Sequence, residues 1–133
     1  MGSRTTTERG ERSRRFYQRL ILDLSLWAEH EFSLNKRDEN GITDREHLEQ
    51  VERQTGRRPK ALDNPTDFPM LVAHIWTAFC SLNSARTAGF SGPNPITYTD
   101  IKSWKEVTES PLQAWECEAI KRLDTVYLRA ANE

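Results

Sequence analysis

Residues Ser91 to Leu128 read SGPNPITYTDIKSWKEVTESPLQAWECEAIKRLDTVYL, and this stretch constrains the fold more than any other. Pro93 and Pro95 fix their own backbone and push Gly92 and Asn94 toward extended geometry, which makes a rigid loop. Thr97 then caps a helix, with Asp100 in its acidic first turn. Its apolar face is Ile101, Trp104 and Val107, and Ser110-Pro111 stops it. A last helix starts between Ser110 and Ala114 and runs to about Ala131. Trp115, Ala119, Ile120, Leu123, Val126, Tyr127 and Ala130 form its stripe. Helical period on both sides of a Pro-marked turn predicts a packed helical pair.

The rest of the chain carries the same period. Phe16, Leu20, Leu24 and Trp27, with Tyr17, Ile21 and Ala28 beside them, predict a helix from about Glu8 to Phe32. Asn35 to Ile42 reads as a polar loop turning at Asn40-Gly41. Thr43 and Glu46 form a capping box for a helix from Asp44 to Thr55, with Gly56 as its left-handed end. Leu48 and Val51 are the large apolar positions there, so that helix is mostly solvated. Arg57 to Asp67 holds two prolines and reads as a linker. Asp67 is placed to cap another helix, with Leu71, Ile75, Phe79 and Leu82 as its stripe, widened by Val72 and Trp76, ending near Ala88.

The expected fold is therefore all-α, a compact bundle of about five helices with a three-helix C-terminal unit. Residues 1–10 are expected to be a disordered tail, residues 11–62 an N-terminal helical segment, and residues 63–133 the C-terminal unit. With 133 residues, one modest core is within reach.

Charge and cysteines narrow the function. The net charge of −1 gives no overall field for DNA or membrane. Residues 1–62 hold 13 basic and 11 acidic groups, with the excess concentrated at Arg4, Arg9, Arg12, Arg14, Arg15 and Arg19. Such a run reads first as a solvated helix face or a tail, and second as a contact for nucleic acid or an acidic partner. Cys80 and Cys117 lie among apolar neighbours and are expected to be buried free thiols in a reducing cytoplasm. No signal peptide or membrane-length apolar run is visible.

Chemistry-bearing motifs are missing from the sequence. His30, His47 and His74 do not pair with one another or with cysteine at metal-ligand spacing, and Glu29-His30-Glu31 lacks the second His four residues on. Neither a nucleophile elbow nor a phosphate loop is present. Glu116 and Glu118 sit two apart on a helix, point apart, and read as solvated charges suiting the dipole. No catalytic residue, metal ligand or cofactor is expected.

The aromatic residues carry the remaining signal. Trp76, Trp104 and Trp115 each occupy an apolar helical position, so core filling accounts for them. One exposed ring would instead serve as a partner anchor, and Trp115 is the choice because it opens its helix where the core is shallow. With Tyr127 added, Trp76, Trp104, Trp115 and Tyr127 are the candidate partner-binding residues. A helix-turn-helix is the competing reading of the last two helices, but Glu116 and Glu118 would meet phosphates badly.

The run GPNPITYTDIKSW…LQAWECEAIKRLDTVYL resembles the tail assembly chaperones of long-tailed bacteriophages and prophages. The matching positions are Gly92, Pro93, Asn94, Pro95, Ile101, Trp104, Trp115, Glu116, Ile120, Leu123, Asp124, Tyr127 and Leu128. His74, Trp76 and Phe79 look like the preceding helix of the same unit, so the resemblance spans about residues 66–128. Thr108-Glu109-Ser110 stands where the family pattern suggests a Thr-Gly turn, and residues 1–55 carry no assignable element. The resemblance implies a small helical protein of the host cytoplasm that binds the tape measure protein and keeps it soluble during tail morphogenesis. It also implies the tail tube protein as a further partner. Two other readings stay open: a small DNA-binding or regulatory module, and a phage accessory protein that binds a host protein. Oligomeric state is open as well.

Overall fold

The computed structural model describes residues 6–133. Five helices occur in order: α1 (Thr6–Asn35), α2 (Asp44–Thr55), α3 (Ala73–Ser84), α4 (Tyr98–Thr108) and α5 (Ala114–Asn132). Two short 3-10 turns, Lys60–Leu62 and Met70–Val72, lie between α2 and α3. A two-residue antiparallel ribbon, β1 (Ala88–Gly89) with β2 (Gly92–Pro93), comes after α3. The mostly helical architecture expected from the periodicity is the one found.

Side-chain contacts define the arrangement. Tyr17, more than three turns into α1, touches Trp115 at the start of α5, and Phe32, near the end of α1, touches Tyr127 further along α5. α1 and α5 therefore run the same way, and theirs is the broadest contact in the fold. α3 runs along α5 in the same sense, with His74 bonded to Glu116 at one end and Arg86 to Asp124 at the other. α2 folds back on α1, where Arg45 Nη2 donates to Glu31 Oε2 at 2.6 Å.

One core joins these parts. Ile21, Leu24 and Ala28 of α1 meet Ile75, Ala78, Phe79 and Leu82 of α3 and Ala119, Ile120 and Leu123 of α5. Ile96, Ile101 and Leu112 close it from the loops and α4. Each large side chain buried here contributes about 1.5–3 kcal/mol relative to exposure. α1 thus shares its hydrophobic face with the C-terminal helices, while α2 buries no residue.

Several local expectations are met by geometry. Thr43 Oγ1 accepts from the amide of Glu46, the cap half of the expected box without the reciprocal Glu46 bond, and Gly56 ends α2 at φ 73°. Thr97 and Asp100 cap α4 reciprocally, with Thr97 N donating to Asp100 Oδ2 at 2.8 Å.

Others are corrected. α1 starts at Thr6, so residues 6–10 are helical, although the sequence places them in a disordered tail; Met1 to Thr5, with Arg4, lie outside the described residues. Asp67 caps nothing: the chain enters α3 through the 3-10 turn after Pro69, and while Ile75, Phe79 and Leu82 of the expected stripe are buried, its first position is taken by Val72 and Leu71 is exposed. α3 ends at Ser84, four residues early, because Thr87 turns away and its carbonyl accepts from the Asn94 amide at 2.9 Å. Both cysteines are free, but Cys80 is exposed and Cys117 half-buried. The core-facing side of α3 is taken by Ile75, Ala78, Phe79 and Leu82, which leaves Cys80 toward solvent.

Candidate functional site

Gly10, Arg14, Tyr17, Gln18 and Ile21 recur at helical spacing, so they share one face of α1. That face meets the first turns of α5, and the two helices diverge to leave a groove of about 680 Å³. Tyr17 and Trp115 form its floor, with ring centroids 4.7 Å apart and planes tilted by 35°. Ala114 and Ala119 keep the α5 wall low, while Arg14 and Arg122 stand at the edges. Trp115 Nε1 donates to Gln113 Oε1 at 3.2 Å, which fixes the ring where it opens the helix. Ile21 and Ala119 are buried beneath it, whereas Tyr17 is 40% exposed. The site is an apolar trough between two parallel helices, a shape suited to holding another helix.

The α5 wall is held by two polar anchors. Glu116 is buried rather than solvated, which corrects the sequence reading. Its Oε1 accepts from the amide of Gln113 at 2.8 Å, capping the helix start, and its Oε2 is hydrogen-bonded to Nε2 of His74. Both carboxylate oxygens are occupied, which is what makes burial of the charge tolerable. Glu118 accepts from the Tyr98 hydroxyl at 2.8 Å, and that bond holds the phenol pKa above its ordinary value.

The second anchor is Asp124 with Arg86, both almost fully buried. Arg86 Nη2 donates to Asp124 Oδ1 at 2.5 Å, Nη1 to the carbonyl of Asn94 at 2.8 Å, and Nε to Asn83 Oδ1 at 2.8 Å. Asp124 Oδ2 accepts from the Ile96 amide at 2.9 Å, and Lys121 Nζ donates to the Ile96 carbonyl at 2.6 Å. The guanidinium also lies 4.4 Å from the centre of the Tyr127 ring. The Gly-Pro-Asn-Pro loop is therefore clamped onto α5, so its stiffness is tied to the core. At the tip of the ribbon in front of it, Phe90 is fully exposed.

The four candidates from the sequence separate. Trp76 and Tyr127 belong to a partly buried aromatic cluster against the core: Trp76 packs edge-on to Trp27 at 4.9 Å and stacks on Phe79 at 5.7 Å, and Tyr127 meets Phe32 at 5.2 Å. Trp104 lies half-buried between α3 and α4, its Nε1 donating to Ser81 Oγ at 2.9 Å. It edges a smaller hollow with Val107, Pro95 and Leu82. Trp115 lies in the trough. The four rings are not brought together in one site.

Tyr17, Glu116, Asp124 and Arg86 are the residues that sequence reasoning does not assemble as a set. Asp124 carries a visible signal: it comes directly after Leu123 on the buried stripe, four residues after Ile120. Tyr17 carries none, since its partner comes from the other end of the chain.

Among the described residues, no group of three His, Cys, Asp or Glu could hold a metal ion. No helix among them is long and apolar enough to cross a membrane. Comparison with curated proteins and with solved structures finds no match in either set. A protein family described as phage tail assembly chaperone matches residues 51–129, from within α2 to within the last turn of α5. That match takes in well over half of the chain, including the clamped Gly-Pro-Asn-Pro loop, the trough wall on α5 and the buried Arg86–Asp124 pair. The chain belongs to the phage tail assembly chaperone family.

Proposed function

We propose that this protein binds the tape measure protein and keeps it soluble during tail morphogenesis in the host cytoplasm. The observation that supports the reading is the trough over Tyr17 and Trp115, a partly exposed aromatic floor on a helical scaffold of the chaperone family. Such a chaperone hides apolar faces of an unassembled helical partner and later gives them up. A trough of about three helical turns suits that task, because it covers a few side chains at a time and dissociates readily. The tail tube protein is a further partner of the proposal, displacing the chaperone as the tube forms. The family description is of a chaperone rather than a catalyst, and the role proposed needs no bond making.

A helix-turn-helix reading draws no support from the geometry. The first turn of α5 is committed to Glu116, His74 and the contact with α1, so it is not free to enter a DNA groove.

Co-expression tests the proposal. The tape measure protein is produced with and without this chain, and the lysate is separated by centrifugation. The expected outcome is tape measure protein in the supernatant only when the chain is present, and copurifying with it. Equal solubility without the chain sinks the reading.

A further inference from the structure

We infer that the trough selects a partner helix whose apolar stripe is flanked by acidic side chains. This rests on the chaperone reading and adds the partner's chemistry. The face of α1 from Gly10 to Ile21 runs about three helical turns at 1.5 Å per residue. Gly10 has open space where a Cβ would be, and Ala114 and Ala119 are small, so a third helix can approach closely between α1 and α5. Apolar side chains at i, i+3 or i+4, and i+7 would then rest on Tyr17, Trp115 and Ile21.

Charge decides what flanks that stripe. Arg14 stands on the α1 side and Arg122 on the α5 side. Neither makes a salt bridge among the described residues. The acid in the trough, Glu118, keeps its charge while accepting from the Tyr98 hydroxyl, so the two arginines outnumber it by one. Arg12, Arg15 and Arg19 fall on the opposite face of α1 from Gly10, Arg14, Tyr17 and Ile21, so Arg14 and Arg122 are the cations that flank the trough. The lining of the trough thus carries two cations against one carboxylate, in a chain of net charge −1. Acidic flanks are attracted to it and basic flanks repelled, which sets orientation and partner choice.

Two synthetic helical peptides test the inference. Both carry one leucine stripe at helical spacing; one has glutamates beside it and the other lysines. Binding to the full chain is read by fluorescence anisotropy at low salt. The glutamate peptide is expected to bind about tenfold or more tightly than the lysine peptide, and to weaken as salt rises. The double variant Arg14→Glu/Arg122→Glu is expected to invert that preference. Gly10→Glu is the folding control: its Cβ meets nothing within 4 Å and it removes a glycine from a helix, so the melting temperature holds or rises while glutamate-peptide binding falls.

Equal affinity for the two peptides overturns the inference, as does an unchanged preference in the double variant. Binding of a short DNA duplex through the same arginines, with neither peptide bound, overturns it in favour of nucleic acid. If the double variant still keeps the tape measure protein soluble, the trough assignment falls and chaperoning stands. If the peptides behave as expected but the tape measure protein is equally soluble alone, the trough's selectivity stands and the chaperone reading falls.

Discussion

Single residues decide how the Gly-Pro-Asn-Pro loop is held. Arg86 and Asp124 form a nearly dry ion pair whose remaining donors and acceptors are engaged by Asn83, Asn94 and Ile96. Removing one partner strands the other charge. Arg86→Met is expected to destabilise the fold by about 3 kcal/mol in urea unfolding, far more than any surface pair here would. Asp38 behaves differently because it is exposed. Its carboxylate is hydrogen-bonded to His47 Nε2 at 3.0 Å and accepts from the amides of Asn40 and Ile42. The His47 bond is the largest influence, and the Asp38 pKa lies below the ordinary 3.8. A depressed carboxylate contributes stability above its unfolded value, and that contribution disappears as pH falls through the folded value. An NMR titration of Asp38 should therefore find a midpoint below 3.8, moving upward in His47→Gln.

Helix ends matter most at the scale of elements. α4 ends at Glu109, which takes the left-handed conformation at φ 54° and donates its amide to the carbonyl of Lys105. That position favours glycine, and the family resemblance suggests a Thr-Gly turn there. Glu109→Gly is expected to raise stability by about 1 kcal/mol, measured as a higher denaturant midpoint at unchanged slope. The caps at Thr43, Thr97 and Gly56 are legible from sequence because they depend on neighbours three or four residues away. The start of α3 is not. Asp67 has the chemistry of a cap, but Asn64 upstream is tied by its Nδ2 to the carbonyl of Trp27, 37 residues earlier. That tertiary bond restricts where the chain can turn, and a 3-10 turn results before α3 begins.

Across the whole molecule, the tryptophans occupy different settings. Trp76 lies inside a cluster with Trp27, Phe32, Phe68 and Phe79, partly through shared neighbours. Trp76→Ala is expected to cost about 3 kcal/mol, and Trp115→Ala about 1 kcal/mol, the latter reflecting mainly its contact with Tyr17. Paired denaturation curves check both values, and the tape measure solubility assay should invert the ranking. The helical class, most helix caps, the family resemblance and the apolar stripe of each helix are all written in the chain, because they depend on spacing within a few turns. The meeting of Tyr17 with Trp115, the partnered burial of Glu116 and Asp124, and the gathering of Trp76 and Tyr127 into one aromatic cluster come from packing alone. Each joins residues dozens of positions apart, and helical period says which face is apolar but not what covers it.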